Sequence, residues 1–291
     1  MISVIIPTMN AEVFMKSLLD ALFQQTLLPD EVIVVDSEST DQTVEICRMY
    51  PMVRVISILR KDFDHGQTRD MALRQSKGDI VVFMTHDALP ADKYFLENLI
   101  NYLKTDPRMA VVSGRQLARD DATIMERLVR EFNYPPKSNT RSKKDVSKYG
   151  IKTYYCTDVC AAYRRDVYLR LGGFEYPLKT NEDMFYAAKA VNAGYKVGYA
   201  ANAMVIHSHN FTFKQQYDRN YVQGFEIEKH RALLGNVSAN SEGIKMIKNV
   251  SFNLLKKGNV MGFVRFGFDC IARAKGNRDG KKQAIKQGVN K

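Results

Sequence analysis

Apolar runs that end in a polar residue or proline alternate with segments of helical spacing along the first 115 residues. Five of these runs do not alternate apolar with polar positions and therefore predict strands buried on both faces, at residues 2–6, 31–35, 53–58, 80–84 and 110–113. Four segments between them predict helices, at residues 11–25, about 40–46, 66–75 and 92–103. This order predicts an α/β fold, with a doubly wound, mainly parallel sheet and helices on both faces.

The pattern weakens over residues 123–155, where Pro135-Pro136 and the polar stretch 137–144 predict an exposed loop. Regular structure is expected again at 159–163. A helix is expected at 183–192, an extended segment at 197–199 and a short strand at 204–206. The chain after Phe213 has helical spacing. We expect these helices to follow the sheet as a C-terminal extension.

Ligands of such sheets bind at the carboxyl ends of the strands, which here are Pro7-Thr8, Asp36 and Thr85-His86-Asp87. Asp36 can accept hydrogen bonds from a ribose hydroxyl or a base imide, although a helix-capping role is equally compatible with its position. The first strand is followed by PTMNAE and not by a glycine-rich fingerprint, so a dinucleotide site of the NAD type is disfavoured.

A helix is expected to begin at His65-Gly66, with Thr68 and Arg69 in its first turn. Glycine permits close approach of a ligand to the backbone, and the helix N-terminus together with His65 and Arg69 can face a diphosphate. The alternative is a capped helix with polar surface residues.

Three further acidic or histidine positions can carry chemistry. Asp87, directly after a buried strand, can hold one Mg²⁺ or Mn²⁺ together with a diphosphate, or simply cap a helix. Glu182-Asp183 opens a helix, where acids suit the helix dipole, and either carboxylate can also act as a general base. His207-Ser208-His209 closes a short strand, and two histidines in this arrangement favour contact with a metal or a phosphate.

The composition fits a folded protein, since 45% of the 291 residues are apolar. Four cysteines without a CxxC pair predict reduced thiols. The start MISVIIPTMN lacks the basic region and cleavage site of a signal peptide, and no uncharged apolar stretch reaches about 18 residues. These observations predict a cytoplasmic protein.

Positive charge is concentrated at the end of the chain. Residues 244–291 contain twelve Lys or Arg and two acids, so the first 243 residues contribute only +1 to the net charge of +11. Apolar residues at helical spacing accompany the lysines over 244–275, which predicts an interfacial helix pair on an anionic membrane surface. The alternatives are packing on the preceding domain or a homodimer interface, and residues 276–291 are predicted to form a frayed, charged end.

Seven sequence motifs occur along the chain in this order: VIIPTMN, VVDSESTD, HGQTRDMAL, FMTHDA, CAAYRRDVYLRLGGF, NEDMFYAAK and VIHSH. Over residues 2 to about 225 the chain resembles family 2 glycosyltransferases of the GT-A fold, most closely bacterial rhamnosyltransferases that use dTDP-L-rhamnose. The resemblance implies a catalytic domain at 1–235, with a nucleotide-binding half at about 1–115 and an acceptor half at about 116–235. Residues 236–291 then form the basic helical extension.

The resemblance also implies roles for individual residues. The nucleotide-sugar donor is expected to contact Pro7, Thr8, Asp36, His65, Thr68, Arg69 and His86. Asp87 matches the last acid of the metal-binding DxD motif, which is reduced here to one carboxylate, and His207 is expected to be a further metal or diphosphate ligand. Asp183 matches the catalytic base, supported by Glu182, while Asp158 and Arg219 are assigned to the acceptor or the diphosphate.

The expected reaction is inverting transfer from dTDP-L-rhamnose to a saccharide or polyprenyl-diphosphate-linked acceptor at the inner face of the cell membrane. A UDP-sugar donor is the nearest alternative. A nucleotidyltransferase is disfavoured because no glycine-rich triphosphate loop follows the first strand. A nucleic-acid-binding module is disfavoured because the basic charge lies outside the α/β body, so nucleic acid is not an expected partner.

Overall fold

A computed structural model of the chain describes residues 1–235, 237 and 240–288. The described residues form nine strands: β1 (Ile2–Thr8), β2 (Glu31–Asp36), β3 (Val53–Ser57), β4 (Ile80–Met84), β5 (Leu89–Pro90), β6 (Met109–Leu117), β7 (Asn139–Arg141), β8 (Cys160–Arg164) and β9 (Lys196–Ile206). They form twelve α-helices: α1 (Glu12–Phe23), α2 (Thr43–Arg48), α3 (His65–Gln75), α4 (Phe95–Lys104), α5 (Ile124–Asn133), α6 (Val146–Tyr149), α7 (Arg165–Arg170), α8 (Glu182–Asn192), α9 (Phe213–Lys229), α10 (Arg231–Leu234), α11 (Asn240–Lys256) and α12 (Val260–Lys286).

The nine strands belong to one sheet, in the order β3-β2-β1-β4-β8-β6-β9-β5, with β7 also paired to β9. The pairs β2–β3, β1–β2, β1–β4 and β6–β9 are parallel. The pairs β4–β8, β6–β8, β5–β9 and β7–β9 are antiparallel. The predicted α/β class is therefore confirmed, and the sheet is mixed, because β8 runs against both of its neighbours.

Apolar side chains fill both faces of the sheet. Val4 and Ile6 of β1 belong to a core that includes residues of α1, α2 and α4, whereas Ile5 points into a second core with residues of α3, α7 and α8. A strand covered on both faces has no polar side, which explains why the strand segments showed no alternation.

The strand directions bring several chain segments to one edge of the sheet. Thr8 and Asp36, the last residues of β1 and β2, are register partners. Met84 at the end of β4 pairs with Cys160 at the start of the antiparallel β8. β6 runs in the direction of β4, and β9 runs parallel to β6, so Ile206 ends at the same edge. Residues that follow β1, β2, β4, β6 and β9, and residues that precede β8, thus share this edge.

The prediction of an exposed loop at 137–144 is wrong for Asn139–Arg141, which pairs with β9 as β7. Arg141 is buried, and its guanidinium donates a hydrogen bond to the Tyr155 carbonyl at 2.7 Å. This strand is three residues long and carries no apolar side chain, so a pattern of apolar positions could not identify it.

Helix α5 lies in the region where the sequence pattern was weak. The Thr123 side chain caps it by accepting a hydrogen bond from the Glu126 N–H at 3.2 Å. Its buried residues pack against the extension, in a separate core that contains Met125, Leu128, Val129, Val250, Leu254 and Phe266. The C-terminal helices α11 and α12 therefore contact the rest of the protein through an apolar interface.

The prediction that residues 276–291 fray is wrong for the described part, since α12 continues to Lys286. Gly276 and Gly280 face the backbone of α9, where an added Cβ would overlap the carbonyl oxygens of Tyr217 and Tyr221. Glycines one helical turn apart let the two backbones approach closely, and this contact fixes the end of α12. Residues 236, 238–239 and 289–291 lie outside the described part of the predicted extension.

Candidate active site

A cavity of about 950 Å³ opens at the edge of the sheet where the functional candidates converge. Most residues predicted for the site line it: Pro7, Thr8, His65, Arg69, His86, Asp87, Asp158, Glu182, Asp183, His207 and Arg219. Asp36 and Thr68 do not. Asp36 is buried beside the cavity and accepts a hydrogen bond from the Ser39 N–H at 3.2 Å, and Thr68 accepts one from the Asp64 N–H at 3.2 Å.

Asp87, His207 and His209 form a cluster of possible metal ligands. The Asp87 Oδ2 atom lies 3.4 Å from His207 Nε2 and 3.5 Å from His209 Nε2, and the two Nε2 atoms are 3.1 Å apart. One ligand atom from each residue falls within 4.8 Å of the others. A carboxylate and two imidazoles at this spacing fit a divalent transition-metal ion better than Mg²⁺, which prefers an all-oxygen shell.

Charge and burial set the protonation of this cluster. Burial opposes ionisation of Asp87, but the hydrogen bond and charge of His207 hold the pKa of Asp87 well below its usual value. Burial and the neighbouring His207 lower the pKa of His209 to about 4. Near pH 7 the cluster thus offers an ionised carboxylate and a neutral His209 imidazole, which are the forms that bind a metal.

Gln116, near the end of β6, fixes the orientation of the His207 ring. Its Oε1 atom accepts a hydrogen bond from Arg130 Nη1 at 2.5 Å and lies 2.9 Å from His207 Nδ1. Because arginine can only donate, the Gln116 atom is the amide oxygen, and His207 Nδ1 must carry the proton. The other ring nitrogen of His207, Nε2, therefore faces Asp87 and is the one placed to bind a metal.

Arg119 contacts both the backbone and the side chain of Asp87. Its Nη2 atom donates to the Asp87 carbonyl at 2.7 Å and lies 3.6 Å from Asp87 Oδ2. The guanidinium also stacks 4.7 Å from the Phe14 ring centroid. The Asp87 backbone and carboxylate are thus both positioned by one arginine.

Asp183 lies in the first turn of α8, with its carboxylate held by two backbone N–H groups. Oδ1 accepts from the Met184 N–H at 2.7 Å, and Oδ2 accepts from the Asp158 N–H at 3.1 Å. Asn181 precedes it in a left-handed conformation, with φ of 69°. Burial and the charges of Glu182 and Asp158 raise the pKa of Asp183 well above its usual value. A raised pKa makes this carboxylate a stronger proton acceptor than an ordinary aspartate.

Arg69 is buried between two of the acids instead of reaching freely into the cavity. Its Nη1 atom lies 3.0 Å from Glu182 Oε1, and its Nε atom lies 3.6 Å from Asp158 Oδ2. Asp158 also accepts a hydrogen bond from the Tyr163 hydroxyl at 2.6 Å. Burial raises the pKa of Asp158 to about 7 despite the opposing effect of Arg69. Two carboxyl groups, those of Glu182 and Asp158, thus share one arginine beside the candidate base.

Several polar atoms around the cavity are buried and have no hydrogen-bond partner among the described residues. Four of them are Thr8 Oγ1, Ser37 Oγ, Asn181 Nδ2 and Gln216 Oε1. A buried polar group without a partner costs on the order of 1–3 kcal/mol, so native proteins seldom leave several in one place. Their grouping around one cavity points to a polar ligand that completes their hydrogen bonds.

The model of the family described as "Glycosyl transferase family 2" matches residues 3–172. The chain belongs to this family. It is 41% identical to the O-antigen chain rhamnosyltransferase RfbN of Salmonella typhimurium over 257 residues, which cover 88% of this chain and 82% of that protein. It is 38% identical to the O-antigen chain rhamnosyltransferase WbaN of Salmonella anatum, over 87% of this chain and 81% of that protein. The expected enzyme class, a glycosyltransferase, is confirmed.

Solved structures support the fold assignment. The family 2 chain superposes on the mannosyltransferase PcManGT from Pyrobaculum calidifontis, solved in complex with GDP-Man and Mn²⁺, with a TM-score of 0.61 and 21% identity, over 99% of this chain and 79% of that one. It superposes on residues 1–349 of TarS from Staphylococcus aureus with a TM-score of 0.54 and 18% identity, over 99% and 91% of the two chains. The GT-A-type α/β architecture is therefore confirmed.

Sequence reasoning missed several residues of the site in this glycosyltransferase. Gln116 lies in β6, and Arg119 comes two residues after this strand ends. The strand extends to Leu117, although the sequence predicted its end at 113. With the longer strand, the rule that ligands bind at carboxyl ends would have identified both. Arg273 lines the cavity from α12, and no local signal distinguished it from the other basic residues of the extension.

Proposed function

We propose that the chain transfers a rhamnosyl group from dTDP-L-rhamnose to a saccharide or lipid-linked saccharide during cell-surface polysaccharide assembly. The observation that carries this proposal is the placement of the Asp183 carboxylate and the Asp87, His207 and His209 cluster in one cavity. The names of the two Salmonella relatives support rhamnose as the sugar. We infer the nucleotide from the motifs of the sequence.

In the proposed mechanism, Asp183 accepts the proton of the acceptor hydroxyl as its oxygen attacks the anomeric carbon of the donor. The new C–O bond forms on the face opposite the departing nucleoside diphosphate, so the anomeric configuration inverts. The backbone N–H groups of Asp158 and Met184 orient the Asp183 carboxylate for this step. A divalent metal bound by Asp87, His207 and His209 would neutralise charge on the leaving diphosphate.

Asp183→Asn tests the base. We expect a loss of turnover of about 10²–10⁴-fold with little change in the dissociation constant of dTDP, because the amide keeps the shape but accepts no proton. Asp166→Asn, on the exposed surface of α7, is the matched control and should retain full turnover. Near-normal transfer by Asp183→Asn would exclude this residue as the base.

A UDP-sugar donor is the alternative. Thermal-shift titration with dTDP, UDP and GDP, with and without Mn²⁺, separates these nucleotides. We expect the largest metal-dependent rise in melting temperature with dTDP. A larger rise with UDP would favour the alternative donor.

We further propose that α11 and α12 rest on an anionic membrane surface. Four residues of α12 form an exposed apolar stripe at helical spacing: Val260, Val264, Phe268 and Ile271. Exposed Ile244, Ile247 and Leu255 extend the apolar surface onto α11, among the lysines of that helix. This combination of apolar and basic residues matches the interface between lipid chains and anionic headgroups. None of the described helices is long and apolar enough to cross a bilayer.

A further inference from the structure

The cavity wall formed by α5, α9 and α12 carries three arginines, Arg130, Arg219 and Arg273. Arg130 is paired with Glu126 at 2.5 Å, and Arg273 is paired with the buried Asp269 at 2.5 Å. Arg219 has no carboxylate within ion-pair distance among the described residues. This wall therefore carries more positive than negative charge where it faces the cavity.

Arg219 is held in place without being neutralised. Its guanidinium lies 5.3 Å from the centroid of the Phe211 ring, and this ring packs 5.1 Å from the ring of His209. Burial lowers the pKa of Arg219, and the charges of Arg273 and Arg130 lower it further. Three cations held together in a partly desolvated wall repel one another, and an anionic ligand would relieve that repulsion.

The three arginines of the cavity wall and the ligand cluster around Asp87 favour ligands of opposite charge. A carboxylate with two imidazoles selects a cation, and a donor diphosphate can be neutralised there through that cation. Guanidinium groups select an anion and fit phosphate oxygens with two parallel hydrogen bonds. Among the contacts of the described residues, Arg219 is connected to Asp87 through the rings of Phe211 and His209 and does not pair with it directly, so different groups can occupy the two sites.

We propose that Arg219 and Arg273 form a second anion site, which binds a phosphate group carried by the acceptor. This inference rests on the proposed transfer reaction, in which the donor diphosphate occupies the cluster around Asp87. The position of Arg273 supports it, because Ile271 at the end of the exposed apolar stripe lies only two residues away on α12. A phosphate at Arg273 would then lie between the sugar in the cavity and an apolar group on the outer face of the helix.

Isothermal titration with inorganic pyrophosphate tests the site, using full-length protein saturated with dTDP and with Mn²⁺ kept in excess over pyrophosphate. We expect wild-type protein to bind pyrophosphate and Arg219→Gln to bind it at least tenfold more weakly. Arg219 has no acid partner, so its replacement leaves no buried charge unpaired. For Arg273 the variant is Arg273→Gln combined with Asp269→Asn, because Asp269 would otherwise lose its partner in the interior.

Arg278→Gln is the matched control, since Arg278 is an exposed arginine of α12 outside the cavity, and its affinity for pyrophosphate should equal that of the wild type. Displacement of pyrophosphate by dTDP would mean that the arginines bind the donor and would overturn the proposal. Flotation with phosphatidylglycerol vesicles tests whether the arginines bind the phosphate of a membrane lipid instead of the phosphate of the acceptor. Loss of vesicle binding in Arg219→Gln with unchanged pyrophosphate binding would also overturn it.

This experiment distinguishes the second site from the proposed donor. If dTDP binds and pyrophosphate does not, the second anion site is wrong and the proposed reaction is unaffected. If dTDP does not bind, the proposed donor is wrong, and titration of the unliganded protein still measures the effect of Arg219 on pyrophosphate affinity.

Discussion

The Gln116 side-chain oxygen lies 2.9 Å from His207 Nδ1 and fixes which nitrogen of that ring faces Asp87. The same oxygen accepts a hydrogen bond from Arg130, so α5 supports the cluster although it contributes no ligand to it. Residues that orient a ligand in this way commonly contribute 10–100-fold to metal affinity. Helix α5 is thereby connected to the candidate metal-binding residues.

Gln116→Leu should weaken Mn²⁺ binding by about 10–100-fold, because His207 loses the acceptor that keeps its proton on Nδ1. Titration of Mn²⁺ followed by electron paramagnetic resonance measures this affinity directly. Gln24→Leu, at the exposed end of α1, is the control and should bind Mn²⁺ as the wild type does. Unchanged affinity in Gln116→Leu would show that the hydrogen bond does not support a metal ligand.

The cluster should prefer Mn²⁺ to Mg²⁺, because two of its three ligand atoms are imidazole nitrogens. We expect half-maximal transfer at a lower concentration of Mn²⁺ than of Mg²⁺, by about tenfold or more. His209→Ala should reduce this difference, since it removes one nitrogen ligand. Equal concentrations for both metals in the wild type would indicate that oxygen ligands alone hold the ion.

Asp158→Asn should move the acidic limb of the pH profile of kcat/KM to lower pH. The Asp158 charge raises the pKa of Asp183, and the base must be ionised to act. Without that charge Asp183 ionises at lower pH, so activity persists further into the acidic range. An acidic limb that does not move would assign this ionisation to another group.

The same variant should change the dependence of stability on pH. The pKa of Asp158 is raised to about 7 in the folded protein, against about 3.9 in an unfolded chain. Its contribution to the free energy of unfolding is therefore complete below about pH 4 and is lost as the pH rises through about 7. Melting temperatures of the wild type and Asp158→Asn should differ in slope over this interval, and parallel curves would contradict the raised pKa.

Gly280→Ala should destabilise the protein by about 1–3 kcal/mol, because the added Cβ overlaps the Tyr221 carbonyl oxygen of α9. Gly267→Ala is the matched control on the same helix, since a Cβ there meets no atom within 4 Å of the described structure. It should stabilise α12 by about 0.5–1 kcal/mol through its helix propensity. Urea denaturation measures both, and shifts of the same sign would argue against close packing of α9 on α12.

The triple variant Val264→Ser, Phe268→Ser and Ile271→Ser should reduce binding to phosphatidylglycerol vesicles at least tenfold, because it removes apolar area that would enter the lipid. A second triple variant changes equally exposed residues elsewhere, Val13→Ser, Leu28→Ser and Met49→Ser, and should bind normally. Loss of a dimer in size-exclusion chromatography, with vesicle binding unchanged, would instead favour the homodimer interface that the sequence left open.

The sequence predicted the central part of the fold well because strands buried on both faces leave a strong pattern. Residues 80–84, for example, were predicted as a strand with the bounds that β4 has. The strand β7 was missed because it is short and polar, and its stability comes from pairing with β9. The end of α12 was missed because a charged segment at the end of a chain is expected to fray, whereas Gly276 and Gly280 fix it through contact with α9.

The candidate site was predicted in part for a similar reason. Asp87 and His207 follow strands that end at the ligand-binding edge, so strand direction identified them. Asp158 precedes a strand, and it reaches the same edge only because β8 is antiparallel to β4. Arg273 depends on how α12 packs on α9, a relationship between distant segments that no local pattern records.

The close backbone contact between α9 and α12 has a consequence for engineering the specificity of this enzyme. Because α12 supplies Arg273 to the cavity but is not part of the sheet, we expect that the sheet and the C-terminal helices can be exchanged separately. A chimera that carries α11 and α12 of a relative, with matching glycines on the α9 contact, should keep its donor and adopt a new acceptor. The C-terminal helices would then determine the acceptor independently of the donor.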